Sequence, residues 1–155
     1  MRVRVFAPAL VVAWSCAVGV AVITVGAQGQ KVTTPEQLDK VMKAVQQANQ
    51  PVGKAIASGA YADAKKGLAT VKENVILSRT FWIEHKRDDA VKLNEESVAK
   101  IEALEKLLSA EPVDQAAAQA AMKEVGGSCR ACHQKYRATD AENNYILKPG
   151  SLEAK

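Results

Sequence analysis

The segment GGSCRACHQKYR, residues 126–137, places Cys129 and Cys132 three positions apart, with His133 directly behind them. On a helix these three side chains project from one side within about one turn. Two thiolates can add across the two vinyl groups of one porphyrin edge, while the adjacent imidazole reaches the iron. The spacing therefore predicts one covalently attached haem c, with Cys129 and Cys132 as the thioether residues and His133 as an axial iron ligand.

Three other chemistries of a CxxC pair stay open at this point. A thioredoxin-like redox pair is typical of a βαβ setting, and the sequence shows no such setting. A structural zinc site needs four ligands, whereas the chain after Ala27 offers the three residues of the motif and the distant His85. A disulfide that closes so short a loop constrains little unfolded-chain entropy. The haem interpretation is favoured over all three.

The first 27 residues are predicted to be a signal peptide. Arg2 and Arg4 precede an uncharged run over residues 5–30, and the small residues VGA at 25–27 suit a signal peptidase. Cleavage there would leave residues 28–155 in the periplasm, where a CxxC pair must be oxidised, metallated or otherwise covalently used. The alternative is that the run stays as an amino-terminal membrane anchor, although its Pro and Gly residues make it a mediocre spanning helix.

The charge of the mature chain argues against nucleic acid as a partner. The whole sequence has 21 basic and 17 acidic residues, a formal net charge of +4. Losing Arg2 and Arg4 with the signal peptide leaves 19 basic residues against 17 acidic ones, a net charge of +2. A value this close to neutral gives no basic surface of the kind that binds a phosphate backbone.

Apolar residues recur at helical spacing in four segments of the mature chain, over residues 38–56, 61–75, 91–108 and 118–136. The stretch TPEQ at 34–37 is a helix start signal with a cap, a first-turn proline and a capping box. Pro51 is expected to kink or break the first helix near Gln50. No window alternates apolar and polar residues as a strand would. The fold class is therefore all-α, and four amphipathic helices with short connections pack most simply as an antiparallel four-helix bundle.

The tail after about residue 140 is the least regular part of the sequence. Asn143 and Asn144 favour a turn, and Pro149 with Gly150 ends any regular element. The apolar stretch YIL at 145–147 is expected either to fold back over the haem edge or to belong to a frayed terminus.

The motif CRACHQKYR, residues 129–137, on the last helix of an exported all-helical chain resembles the cytochrome c-prime family of class II c-type cytochromes. TFW at 80–82 is similar to the aromatic segment that relatives carry between helices two and three. The resemblance covers most of the mature chain. It implies an antiparallel four-helix bundle with one haem near its end, often as a homodimer.

The resemblance also implies that a residue of the first helix faces the distal side of the iron. Met42 precedes Lys43 in a pair that resembles the low-spin, methionine/histidine-ligated members, so Met42 is predicted to be the distal iron ligand. The alternative is that Met42 only fills core space. By the same resemblance Arg137, one turn after His133, lies on the proximal side, and the alternative is an ordinary solvated arginine. Leu38 replaces an arginine that relatives often carry, which leaves the propionate contact unassigned.

These residues predict an exported monohaem c-type cytochrome that transfers single electrons between redox partner proteins and is not an enzyme. One alternative is a five-coordinate c-prime haem protein that binds nitric oxide or carbon monoxide. A second is a haem-free helical interaction module with a CxxC disulfide. Pro51 weakens the expectation of a homodimer formed through the first two helices. Partners would meet an exposed haem edge near four cations, Lys40, Lys43, Arg130 and Lys135.

Overall fold

The computed structural model describes residues 30–153, and the predicted signal peptide lies outside them. Within this range the chain forms four long helices followed by a small two-stranded ribbon. No helix in the described range is long and apolar enough to cross a membrane. The elements in chain order are α1 (Pro35–Ser58), α2 (Tyr61–Glu84), α3 (Asp88–Leu108), α4 (Gln115–Tyr136), β1 (Arg137–Thr139) and β2 (Tyr145–Leu147).

Helix α1 begins with the predicted capping box and ends at a glycine. The Thr34 side chain accepts a hydrogen bond from the backbone N–H of Gln37, and the Gln37 side chain accepts one from the backbone N–H of Thr34. This capping box satisfies backbone donors that the first turn would otherwise leave unpaired. Gly59 ends the helix at φ 78°, a left-handed conformation that favours glycine because it has no Cβ.

Of the kink or break predicted near Gln50, the break is wrong, because α1 continues through Pro51 to Ser58. A proline in a helix interior removes one backbone hydrogen bond, which leaves the carbonyl of Gln47 without its usual donor. Both Pro51 and Gln47 are exposed, so water can replace that bond. The next residue, Val52, is 1% exposed, and its burial holds the helix on the core across the proline.

The helices pack in sequence order into the predicted all-α four-helix bundle. Short connections make neighbouring helices antiparallel, as between α1 and α2, where Gly59 and Ala60 alone separate them. The backbones of these two helices approach closely at Gly67, where a Cβ would come within 2.9 Å of the Val52 side chain. Helices α1 and α4 contact each other much less extensively than the other neighbouring pairs do. The bundle therefore has one open side, called here the α1–α4 seam.

The buried side chains form two separate hydrophobic clusters instead of one continuous core. The first core contains residues of all four helices, among them Ile56, Leu68, Leu104 and Val125. The second core lies at the other end of α1, α2 and α4 and includes Phe81, Trp82 and Tyr136, together with Leu38, Val41, Ala90 and Val32. The space between two such clusters is where a bundle can hold a cofactor.

The carboxy-terminal ribbon corrects the expectation that the chain has no strand. Strand β1 pairs antiparallel with β2, with Arg137 opposite Leu147 and Thr139 opposite Tyr145. Asp140 stabilises the connecting turn, since its carboxylate accepts hydrogen bonds from the backbone N–H groups of Glu142 and Asn144. The strands have three residues each, too few for a pattern of alternation to be recognised in sequence.

The aromatic segment TFW also lies elsewhere than the resemblance implied. Residues 80–82 belong to the last turns of α2, which continues to Glu84, and the connection to α3 comes after them. As part of a helix, Phe81 and Trp82 are held at fixed positions in the second core.

Candidate haem-binding site

A cavity of about 640 Å³ opens along the α1–α4 seam, and its wall is mainly apolar. This volume lies in the range of pockets that hold large organic ligands. The five side chains predicted to form the site all line this one cavity: Met42, Cys129, Cys132, His133 and Arg137. The structure thus brings together the residues of the CxxCH motif and a methionine that is 87 positions away from the first cysteine.

The two cysteines of the motif face the cavity from different surroundings. Cys129 packs against the first core and Cys132 against the second, and both are free thiols that are partly buried. Burial raises the pKa of Cys129, while burial together with the nearby Cys129 raises the pKa of Cys132 to about 11. Both side chains therefore stay protonated near neutral pH until they are used covalently.

His133 lines the same cavity from the last turn of α4. Burial lowers the pKa of its imidazole, and the positive charge of Arg137 lowers it further. The imidazole is therefore neutral at neutral pH, which is the form that binds a metal ion. Arg137, one turn after His133, thus acts on the imidazole through its charge. Its place on the proximal side of a haem stays a prediction.

Met42 is half-buried on α1 and packs against the second core while it lines the cavity. Leu38, one turn earlier, is buried and also lines the cavity, so one side of the wall around Met42 is apolar. Lys43 and Asp39 also line the cavity, and the ammonium nitrogen of Lys43 lies 2.7 Å from the Asp39 carboxylate. The roles of Met42, the two cysteines and His133 toward iron stay predictions, and the cavity wall they share is compatible with them.

Tyr136 anchors the end of α4 through a network that the sequence did not reveal. Its hydroxyl donates to Asp89 at 2.5 Å, and the Lys135 ammonium lies 2.6 Å from the same carboxylate oxygen. The Arg87 guanidinium approaches the other carboxylate oxygen at 3.4 Å, and the ring of Trp82 lies 4.7 Å from that of Tyr136. The network joins the start of α3 to the residues directly after His133, so it fixes the position of the motif helix.

Acid should weaken this network, and Asp89→Asn tests it. The hydrogen bonds from Lys135 and then Tyr136 hold the pKa of Asp89 well below its usual range. Because this pKa is lowered by folding, the stabilisation is complete above about pH 4 and is lost as the pH falls through the folded-state pKa. The carboxylate is 38% exposed, so the expected cost of Asp89→Asn at pH 7 is only about 1 kcal/mol after solvent screening.

Urea unfolding at pH 7 and at pH 3 measures this effect, and Asp88→Asn is the matched control. Asp88 is the adjacent carboxylate in the same first turn, is exposed and makes none of the contacts of Asp89. The difference between the two variants should be clear at pH 7 and smaller at pH 3. Equal stability of both variants at pH 7 would show that the network contributes nothing to folding.

A polar patch on the cavity wall was likewise not predicted. Asn94 donates from its amide nitrogen to the Val75 carbonyl at 2.8 Å and to the Ser78 hydroxyl at 3.0 Å. Asn94, Ser78 and Ser97 are all buried and all line the cavity. In a helical pattern Ser and Asn at these positions are equally typical of exposed faces, so their burial could not be read from the sequence.

His85 does not line the cavity that holds the CxxCH residues, although the zinc alternative needs it as a fourth ligand. It ends α2, its Nδ1 lies 2.8 Å from the Phe81 carbonyl, and its ring stacks on Phe81 at 4.1 Å. Among residues 30–153, no three His, Cys, Asp or Glu side chains are grouped so that they could hold a metal ion. The described part of the chain therefore supplies no zinc ligand set of the kind that alternative requires.

A four-helix bundle with a CxxCH motif on the wall of a large apolar cavity is the architecture of a helical c-type haem protein. The family model described as Cytochrome C' matches residues 78–137, from the last turns of α2 to the first residue of β1. The predicted resemblance to the cytochrome c-prime family is thereby confirmed, and the match supports a c-type haem protein with covalently bound haem c and iron. The matched segment includes the motif but neither Met42 nor β2. Searches of curated proteins and of solved structures find no significant match.

Proposed function

We propose that this protein is an exported one-electron carrier whose iron is held between His133 and Met42. The observation that supports the proposal most directly is that Met42 lines the same cavity as His133 and both motif cysteines. Members of the matched family are typically exported to the periplasm, which agrees with the predicted signal peptide. When bound, haem c supplies a centre that takes up and releases one electron.

The residues of this chain would hold that centre in four ways. Cys129 and Cys132 would fix it covalently, and the neutral imidazole of His133 would bind the iron without first having to lose a proton. Met42 would occupy the position that a small ligand would otherwise take. Leu38 and other apolar residues would form most of the wall around it. Two protein ligands on the iron would favour electron transfer over ligand binding, since no ligand would have to enter or leave.

Met42→Ala tests the distal ligand. We expect the parent protein to show a low-spin spectrum with a methionine-to-iron charge-transfer band, and the variant to lose that band and become high-spin. The reduction potential should fall as well, because Met/His ligation raises it. Visible and near-infrared absorption of the oxidised and reduced proteins, with potentiometry, gives both readouts.

Met122→Ala is the matched control for that experiment. Met122 is also half-buried and packs against the first core, but it does not line the cavity. Its variant should keep the low-spin spectrum. A high-spin parent spectrum that Met42→Ala leaves unchanged would overturn the electron-carrier proposal. That result would favour the alternative function, a five-coordinate haem protein that binds nitric oxide or carbon monoxide. Met42 would then only cover the iron with an apolar side chain.

We also propose that redox partner proteins dock at the seam, where exposed cations flank the cavity. Lys40 lines the cavity and Arg130 follows Cys129, and both are exposed. Lys43 and Lys135 are bound by Asp39 and by Asp89, which reduces the field they present. The first two cations therefore support steering of an acidic partner more than the second two do.

A further inference from the structure

We propose that a recess beside the haem cavity binds a small dianionic oxyanion, such as sulfate or phosphate, and that the bound anion lowers the reduction potential of the iron. The inference rests on the proposed function only in taking the cavity as the haem site. The recess has a volume of about 440 Å³ and is more open than the main cavity, with which it shares His133 and Cys129 as wall residues.

The recess contains two arginines that have no carboxylate partner in the described part of the chain. Residues 30–153 include four arginines, of which Arg79 pairs with Glu95 and Arg87 with Asp89. The other two, Arg130 and Arg137, are exposed, line the recess and form no ion pair within that range. A guanidinium carries five N–H donors in a planar fork that matches an oxyanion. These two groups can therefore bind an anion that the protein itself does not supply.

The rest of the recess wall also suits an anion. Among the described residues that line it, none is aspartate or glutamate. The adjacent Asp140 uses its carboxylate within the turn of the ribbon, where it accepts hydrogen bonds from the backbone N–H groups of Glu142 and Asn144. Gln134 and Thr139 line the recess and add neutral donors. An anion in the recess would thus meet positive charge and hydrogen-bond donors but no carboxylate on the wall.

Local structure holds the donors on one side of the motif helix. Arg130 and Gln134 are four positions apart on α4, and Arg137 follows three positions later, so these side chains share one face. The guanidinium carbon of Arg137 lies 4.1 Å from the centre of the Tyr145 ring. This contact restrains the guanidinium and leaves the N–H groups at its edge available. The site is therefore partly ordered before an anion binds, which reduces the entropy cost of binding.

The position of the recess determines how the anion acts on the iron. His133, the predicted axial ligand, lines the recess, whereas Met42 does not. A negative charge on this side stabilises ferric iron, because ferric iron carries one more positive charge than ferrous iron. One net unit of charge roughly 10 Å away, in surroundings close to water, changes the reduction equilibrium constant about two- to fivefold. This corresponds to about 20–40 mV for a one-electron couple.

The test is a sulfate titration of the reduction potential of the holoprotein at pH 7, with sodium chloride adjusted to keep the ionic strength constant. We expect the potential of the parent protein to fall by about 20–40 mV and then to level off as the site fills. Arg130→Gln and Arg137→Gln should each lose most of this fall. By thermodynamic reciprocity, equilibrium dialysis should show that the oxidised protein binds radiolabelled sulfate about two- to fivefold more tightly than the reduced protein.

Lys123→Gln is the matched control, because Lys123 is an exposed cation of the same helix that lines neither the recess nor the main cavity. This variant should keep the full response to sulfate. A parent potential that does not respond, or a fall that is equal in Arg137→Gln and Lys123→Gln, would overturn the proposal. Failure of the proposed function is separate, since a five-coordinate haem held by His133 would also respond to sulfate, whereas the spectra of Met42→Ala decide the distal ligand.

Discussion

Replacement of both motif cysteines by serine, Cys129→Ser with Cys132→Ser, is expected to yield a protein that carries no covalently bound haem. Each thiol supplies one thioether bond to the porphyrin, so each single variant keeps one bond and the double variant keeps none. Both thiols line the cavity, and serine is close to cysteine in size, so the fold should tolerate the change. Mass spectrometry of the denatured chain, after expression with haem maturation machinery, measures the loss of the porphyrin mass.

A neighbouring serine provides the control for this experiment. Ser128 precedes Cys129 on α4, is half-buried and donates its hydroxyl to the Val125 carbonyl at 2.8 Å. Ser128→Ala should therefore retain the full porphyrin mass. A parent chain that matures without added mass would contradict the haem assignment and return the CxxC pair to its disulfide interpretation. Porphyrin that stays bound to the denatured double variant would show that another side chain forms the link.

Phe81→Ala should destabilise the protein by about 3–5 kcal/mol, the usual cost of a large cavity in a core. Phe81 has no exposed surface, its ring meets the Trp82 ring edge-on at 5.0 Å, and it stacks on His85 at 4.1 Å. Removing it leaves Trp82, a wall residue of the haem cavity, without support on one side. Because whole domains are stable by only about 5–15 kcal/mol, this single change should lower the midpoint of urea unfolding substantially.

The control lies two residues further along the same helix. Ile83 is 58% exposed, so Ile83→Ala removes apolar atoms that contact mainly water and should change stability by less than about 0.5 kcal/mol. Both variants place alanine in the same helix, so the difference between their urea midpoints measures the effect of losing a buried side chain. Similar midpoints for both variants would mean that the second core adds little to the stability of the fold.

The helices could be predicted from the sequence because their signals are local. The capping box at Thr34 is encoded within four residues and occurs where it was expected. Of the predicted kink or break near Gln50, the break was wrong, because a proline rule describes one hydrogen bond whereas burial of Val52 and Ile56 holds the whole helix. The ribbon was not found because three-residue strands depend on their partner more than on their own pattern.

The site residues also differ in whether local sequence could predict them. Cys129, Cys132 and His133 were found because attachment chemistry imposes a fixed local spacing. Met42 could be proposed from a resemblance alone, since periodicity does not distinguish a ligand from a core methionine. The contact of Tyr136 with Asp89 spans 47 positions, and Asp89 in sequence is an ordinary acidic residue of a first helical turn. Pairings across such distances arise only when the helices pack.

The division of the interior into two hydrophobic clusters has a mechanical consequence. Cys129 is seated on one cluster and Cys132 on the other, one helical turn apart. Bonds from both sulfur atoms to one rigid ring would join the two halves of the interior with a covalent brace. The cavity between them would then be filled by the brace itself, and neither half could loosen without straining those bonds. Covalent attachment would in this way stabilise the tertiary structure as well as retain the cofactor.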